Sequence, residues 1–227
     1  MAWSLENEIC QLSKKTDISE ALLDLGLIAN KTLKFQIRQI GKWTRGGAET
    51  YIQHFSIHTD EGVDRYVVKA CTPSNISRNI EDVLSNWVER RVAISSSGIS
   101  TPKLYAADNG VILEEYIPYS LREIMLKNPQ GVIRKSLVSQ IGDTLNILES
   151  LGFNSITSLH DLRSRGEDVT VIDFGQDLGT QSKLMNHPES TNGSRLLSTI
   201  GARLSNPEKR HALSMHFTSP HNRNRLN

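Results

Sequence analysis

Between Leu33 and Ile117 the chain runs through short apolar–polar alternations interrupted once by a helical stretch, and that order limits the folds open to it. Phe35, Ile37 and Gln39 alternate within Leu33 to Ile40 as a strand does. A loop from Gly41 to Gly47 follows, then a second strand from Thr50 to Ile57. The turn Thr59-Asp60-Glu61-Gly62 leads into a third, Arg65 to Ala70. Residues from about 75 to 97 carry Ile80, Val83, Leu84, Trp87, Val88, Arg91 and Val92, the pattern of an amphipathic helix. Lys103 to Ala106 and Val111 to Ile117 read as two more strands around an Asp108-Asn109-Gly110 turn. Three strands, a helix and two further strands make a small α+β lobe.

The flanks read differently. Residues from about 4 to 30 are predicted helical: Leu5, Ile9 and Leu12, then Ile18, Leu22, Leu23 and Leu25, recur near helical spacing, with Asp17 as N-cap and Gly26 as stop. Beyond Pro118 helices are expected at roughly 120–127 and 132–151, and one more near 193–205. The division expected is a helical extension over 1–30, a first lobe over 31–118, a second over 119–210, and a disordered tail over 211–227. A chain of 227 residues can bury a core as one large domain or two small lobes. A formal charge of +1 gives no reason to expect nucleic acid or an anionic membrane as partner. Cys10 and Cys71 are too few for a disulfide scaffold and suit a reducing compartment, and no apolar run is of spanning length. A cytoplasmic protein is the expectation.

Four features point to chemistry. Val169-Thr170-Val171-Ile172-Asp173-Phe174-Gly175 reads as a strand that delivers the Asp173 carboxylate to the lip of a sheet, where a metal–phosphate complex could sit. In Thr44-Arg45-Gly46-Gly47-Ala48-Glu49-Thr50, paired glycines between strands let backbone N–H groups approach phosphate oxygens; an ordinary hairpin tip has the same composition. Lys69 follows Val67-Val68 on the third strand and could set a point charge on phosphates, or be a solvated edge lysine. Glu89, one helix later, could pair with Lys69 and hold it extended; Glu81 is the rival partner. Glu114-Glu115-Tyr116-Ile117 ends the lobe and offers backbone groups to a flat heterocycle.

Taken in order, these parts resemble the protein-kinase-like superfamily, specifically its aminoglycoside-phosphotransferase-like branch. Arg45-Gly46-Gly47, Val67-Val68-Lys69, Glu89, Ser97-Gly98-Ile99-Ser100-Thr101-Pro102, Glu114-Glu115-Tyr116-Ile117-Pro118 and Val171-Ile172-Asp173-Phe174-Gly175 carry the resemblance, over roughly residues 33–180. It implies an α+β, two-lobed kinase-like fold with a small antiparallel-sheet N-lobe and a truncated, mostly helical C-lobe. It also implies ATP and Mg²⁺ as cofactors. Lys69 would contact the α/β-phosphates and Glu89 would orient it. Gly46 and Gly47 would cover the phosphates, Glu115 and Ile117 would meet the base, and Asp173 would hold Mg²⁺.

The chain departs from the family before the Asp-Phe-Gly strand. The family's catalytic loop has an H-x-D and, five positions after the Asp, an Asn; here Asn154 to Arg163 matches in neither register tried. If Asp161 were the catalytic aspartate, Gly166 would stand at the Asn position. If instead His160 to Arg163 pairs with Val169 to Ile172 as a hairpin, Asp161 becomes a second metal ligand or a displaced base. The hairpin register is preferred because it keeps the strand pairing intact. Asp177 is one more nearby carboxylate, read first as a loop residue. Little more than fifty residues follow Asp173, which implies an open acceptor surface suited to a protein or peptide. Two functions follow from the resemblance. One is an atypical ATP-dependent phosphotransferase acting on a protein, peptide or small-molecule hydroxyl. The other is a pseudokinase that serves as a nucleotide-binding or scaffolding module for a partner.

Overall fold

A computed structural model describes residues 4–31, 33–46, 49–73, 79–121, 123–124, 135–153, 161–165, 168–175 and 178. The chain forms two compact units, Met1–Arg91 with Pro102–Tyr116, and Val92–Thr101 with Ile117–Asn227. Gly47, Asp177, the Asn154–His160 part of the loop before Asp161, the helix expected near 193–205 and the 211–227 tail lie outside the described residues.

The first unit begins with helices α1 (Leu5–Ser13) and α2 (Ile18–Asp24). Ser4 caps α1, and Asp17 caps α2 by accepting the Ser19 N–H at 2.7 Å, which satisfies a donor that the first helical turn leaves open. α2 stops at Gly26 as expected. There φ is +68°, and the Leu27 N–H reaches back to Leu22 O while Gly26 N–H reaches Leu23 O, a Schellman closure.

Five strands follow: β1 (Phe35–Gly46), β2 (Thr50–Thr59), β3 (Gly62–Cys71), β4 (Leu104–Asp108) and β5 (Val111–Glu115), with helix α3 (Ile80–Ser96) between β3 and β4. They form one antiparallel sheet in the order β1-β2-β3-β5-β4. The expected 41–47 loop is mostly strand. β1 continues to Gly46, and the surplus residues are absorbed by a register shift between Ile40 and Thr44, with Gly41 at φ +75°. The Asn109-Gly110 turn behaves as its sequence requires, both residues having positive φ.

Pleating sorts the side chains. Tyr66 and Val68 of β3, Phe55 and Ile57 of β2, and Val111 and Leu113 of β5 point to one face. That face packs on Leu5, Ile9, Leu12, Ala21, Leu22, Leu27 and Ile28 in a single core. The N-terminal helices are thus part of the first unit's core and not a separate extension. The opposite face carries Val67, Lys69, Ile112 and Glu114.

In the second unit α4 (Lys135–Ser150) buries Leu137, Ile141, Leu145 and Leu148, one helical stripe. A small antiparallel sheet of β6 (Tyr119–Ser120), β7 (Leu162–Ser164) and β8 (Thr170–Val171) lies in the order β6-β7-β8. Gln140 Oε1 accepts the Val169 N–H at 3.0 Å, tying α4 to the entry of β8. Among the described residues no helix is long and apolar enough to cross a membrane.

Candidate functional site

Lys69 sits in the middle of the sheet's second face, with a relative exposure of 5%. Its Nζ lies 2.6 Å from Glu114 Oε1, and Glu114 is itself only 2% exposed. The geometry follows from register. Lys69 pairs with Ile112 across β3 and β5, so Glu114, two residues on, is its diagonal neighbour on the same face. The ammonium also stands 5.4 Å from the ring centroid of Trp87 on α3, within cation–π range. Arg91, one helical turn beyond Trp87, donates through Nη2 to Pro102 O at 2.7 Å. Burial pushes the Arg91 guanidinium below its ordinary value, and the Glu114 charge opposes that shift. Lys69, Glu114 and Trp87 therefore form a buried charged cluster on three elements, and the half-buried Arg91 guanidinium feels the Glu114 charge.

This corrects the expected partner. Neither Glu89 nor Glu81 makes the ion pair; Glu114 does. Glu89 is exposed and accepts a hydrogen bond from Ser85 at 3.4 Å on its own helix. Val83, Trp87 and Ile94 are the buried positions of α3, and Glu89 lies two residues past Trp87, about 200° around the helix from it. In sequence Glu114 stands in the segment that ends the lobe, where the expectation rests on backbone groups and not on its carboxylate. The available signal was its place in the run Val111-Ile112-Leu113-Glu114, where a carboxylate within an apolar strand has to find a cation.

The other predicted residues fall as follows. Gly46 is the last residue of β1 and pairs with Thr50, whose hydroxyl donates to its carbonyl at 2.6 Å. A Cβ at Gly46 would overlap the Ile52 side chain, so close packing already requires glycine there. Glu115 is held in the sheet: its N–H donates to Lys103 O at 2.9 Å and its Oε2 accepts the Lys103 N–H at 3.2 Å. The Ile117 carbonyl accepts from Arg163 Nη1 at 2.9 Å.

The hairpin register preferred from sequence is the one found. Leu162 pairs with Val171 and Arg163 with Thr170, and the Ile172 N–H donates to Asp161 O at 3.0 Å. Asp161 and Asp173 therefore leave the backbone at adjoining positions, one across from Ile172 and one next to it. The Asp173 Oδ1 accepts the Gly175 N–H at 2.9 Å, which fixes the rotamer of its carboxylate. β8 is further held by Ser100, whose carbonyl accepts the Val171 N–H at 3.0 Å and whose hydroxyl lies 3.1 Å from Thr170 Oγ1. Carboxylates are the oxygen donors that Mg²⁺ prefers, but among the described residues no three His, Cys, Asp or Glu side chains come together as a metal site. No protein-family model matches the chain, and no curated protein matches it in sequence.

Proposed function

We propose that this chain is a kinase-like Mg-nucleotide-binding protein whose chemistry is phosphoryl transfer to a hydroxyl of a protein, peptide or small molecule. The observation that carries the reading is the buried Lys69–Glu114 pair. Taking a lysine and a glutamate out of water costs several kcal/mol per ion, about as much as their attraction returns, so such a pair is a poor device for stability. Desolvated ionisable groups with a specific partner cluster instead at functional sites. The strand order β1-β2-β3-β5-β4, with a helix inserted after the lysine strand, agrees with the N-lobe that the sequence motifs imply.

In this reading Glu114 takes over from Glu89 the task of holding Lys69 extended, and Lys69 neutralises phosphate charge. Asp173 and Asp161 would hold Mg²⁺, which supplies charge neutralisation at phosphate oxygens when bound. Positioning and electrostatics make up most of phosphoryl-transfer catalysis, so the chemistry tolerates a sequence in which Asn154 to Arg163 lacks the family's catalytic-loop motif. A second reading, a pseudokinase scaffold, is favoured by one observation. The Glu115 N–H and Ile117 carbonyl, which a bound base would use, already serve Lys103 and Arg163.

The test is thermal stabilisation by Mg-ATP, compared for wild type, Asp173→Asn and Lys69→Ala, followed by transfer of labelled γ-phosphate to the protein itself and to generic peptide acceptors. Stabilisation of wild type that Asp173→Asn loses supports the nucleotide site. Label transfer then separates phosphotransferase from scaffold. A wild type indifferent to Mg-ATP rejects the phosphotransferase reading.

A further inference from the structure

β1 has no strand on its outer side among the described residues, so its 12 residues form an edge of the sheet. An edge offers a row of backbone N–H and C=O groups that another extended segment can pair. The charge along this edge is one-sided. From Gly26 to Ala48 the chain carries Lys31, Lys34, Arg38, Lys42 and Arg45 and no Asp or Glu, although its 26 basic and 25 acidic side chains balance overall. Lys31 is engaged by Glu20 at 2.8 Å. Lys34, Arg38, Lys42 and Arg45 are exposed, and Ile40 among them is 41% exposed. The Arg38 guanidinium is bound through Nε and Nη2 to Gln36 Oε1 on the same strand, so its charge stays over β1. One lysine is enough to discourage edge-to-edge aggregation; four cations in a row with no intervening acid also create a linear attractive field.

We propose that β1 docks an acidic, extended segment of a partner protein, added to the sheet as a further strand. A second copy of this chain fits poorly, because pairing two β1 edges would set like charges opposite one another. A nucleic acid could use the cations but not the backbone ladder. The proposal stands apart from the nucleotide reading, since its test reads binding alone.

The full chain is titrated against fluorescent peptides of the strand's own 12-residue length, one alternating Glu and Val, the other Glu and Pro. Both carry the same charge, but proline cannot enter a ladder. Arg38→Glu with Lys42→Glu is compared with Lys14→Glu with Lys103→Glu, an equal charge change away from β1. The Glu-Val peptide is expected to bind, more weakly at high salt, and the Glu-Pro peptide to bind at least about tenfold more weakly. The β1 reversals should weaken Glu-Val binding about tenfold or more while the control pair leaves it within about twofold. Absent or equal binding of the two peptides, or loss of binding in the control pair alone, overturns the proposal. So does tighter binding of a single-stranded oligonucleotide or of phosphatidylserine vesicles, and so does self-association that the β1 reversals abolish.

Discussion

Glu114→Gln is the most informative single perturbation of this fold. The carboxylate is 2% exposed and lies 2.6 Å from Lys69 Nζ, and it is also the anion whose charge supports Arg91. Removing it leaves two cations in a desolvated cluster without their shared counter-charge. Breaking one side of a buried pair costs about 3–5 kcal/mol. For a chain of this size that is roughly 6–20 °C in Tm. Lys69→Met is the asymmetric partner experiment. It removes a cation but leaves Glu114 with Arg91, so its cost should be smaller, about 2 kcal/mol. Lys69→Met with Glu114→Leu replaces the pair by apolar groups of similar volume and should recover part of the loss, because the desolvation cost of both ions disappears while Arg91 stays without the Glu114 charge. Urea unfolding compares the four proteins, with constant m-values as the condition for comparing midpoints. The reasoning is refuted if Glu114→Gln lies within about 0.5 kcal/mol of wild type. A Lys69→Met variant as damaged as Glu114→Gln would refute the sharing with Arg91.

Three further predictions test the sheet independently. Gly110 has φ +75°, and a Cβ there would overlap the Ile80 side chain, so Gly110→Ala should cost about 2 kcal/mol or more by urea unfolding. Adding Ile80→Ala should return only the steric part of that cost, and full recovery would show that the backbone conformation contributes nothing. Burial, reinforced by the Glu49 charge, pushes the Cys71 thiol from its ordinary 9.0 up to about 11. The fold therefore favours the neutral thiol. Its contribution is fully present below about pH 9 and fades as pH rises towards 11, which a Cys71→Ser comparison of unfolding at pH 8 and pH 10.5 would read. Iodoacetamide at pH 8 should label the half-buried Cys10 well before the buried Cys71, and equal rates would contradict the burial.

Much of the local architecture was legible from residue order, because it depends on neighbours in the chain. The Asp17 cap and Gly26 stop, the Asn109-Gly110 turn and the antiparallel pairing of β2 with β3 across the Thr59–Gly62 turn rest on short-range steric and hydrogen-bonding preferences, and they form as the sequence indicates. The hairpin that sets Asp161 beside Ile172 was also accessible, since its two strands are joined by a short polar turn. The long glycine loop was misjudged. Periodicity broke at Gly41, but backbone pairing resumed at Thr44 once a bulge had absorbed the surplus residues.

The partner of Lys69 is what residue order could not supply. Glu89 and Glu114 both follow Lys69 along the chain and are chemically identical. Choosing between them needs the phase of α3 and the register of β5 on β3, which is set after a helix and another strand have intervened. Sequence by itself determined most of the strands, helices and turns of the first unit, and that an ionisable Lys69 directly follows Val67-Val68 on a strand. Only tertiary pairing decided that its charge is met by Glu114. A contact between strands distant in sequence is fixed by the whole sheet's register and by exclusion of water from one face, and neither is encoded at any single position.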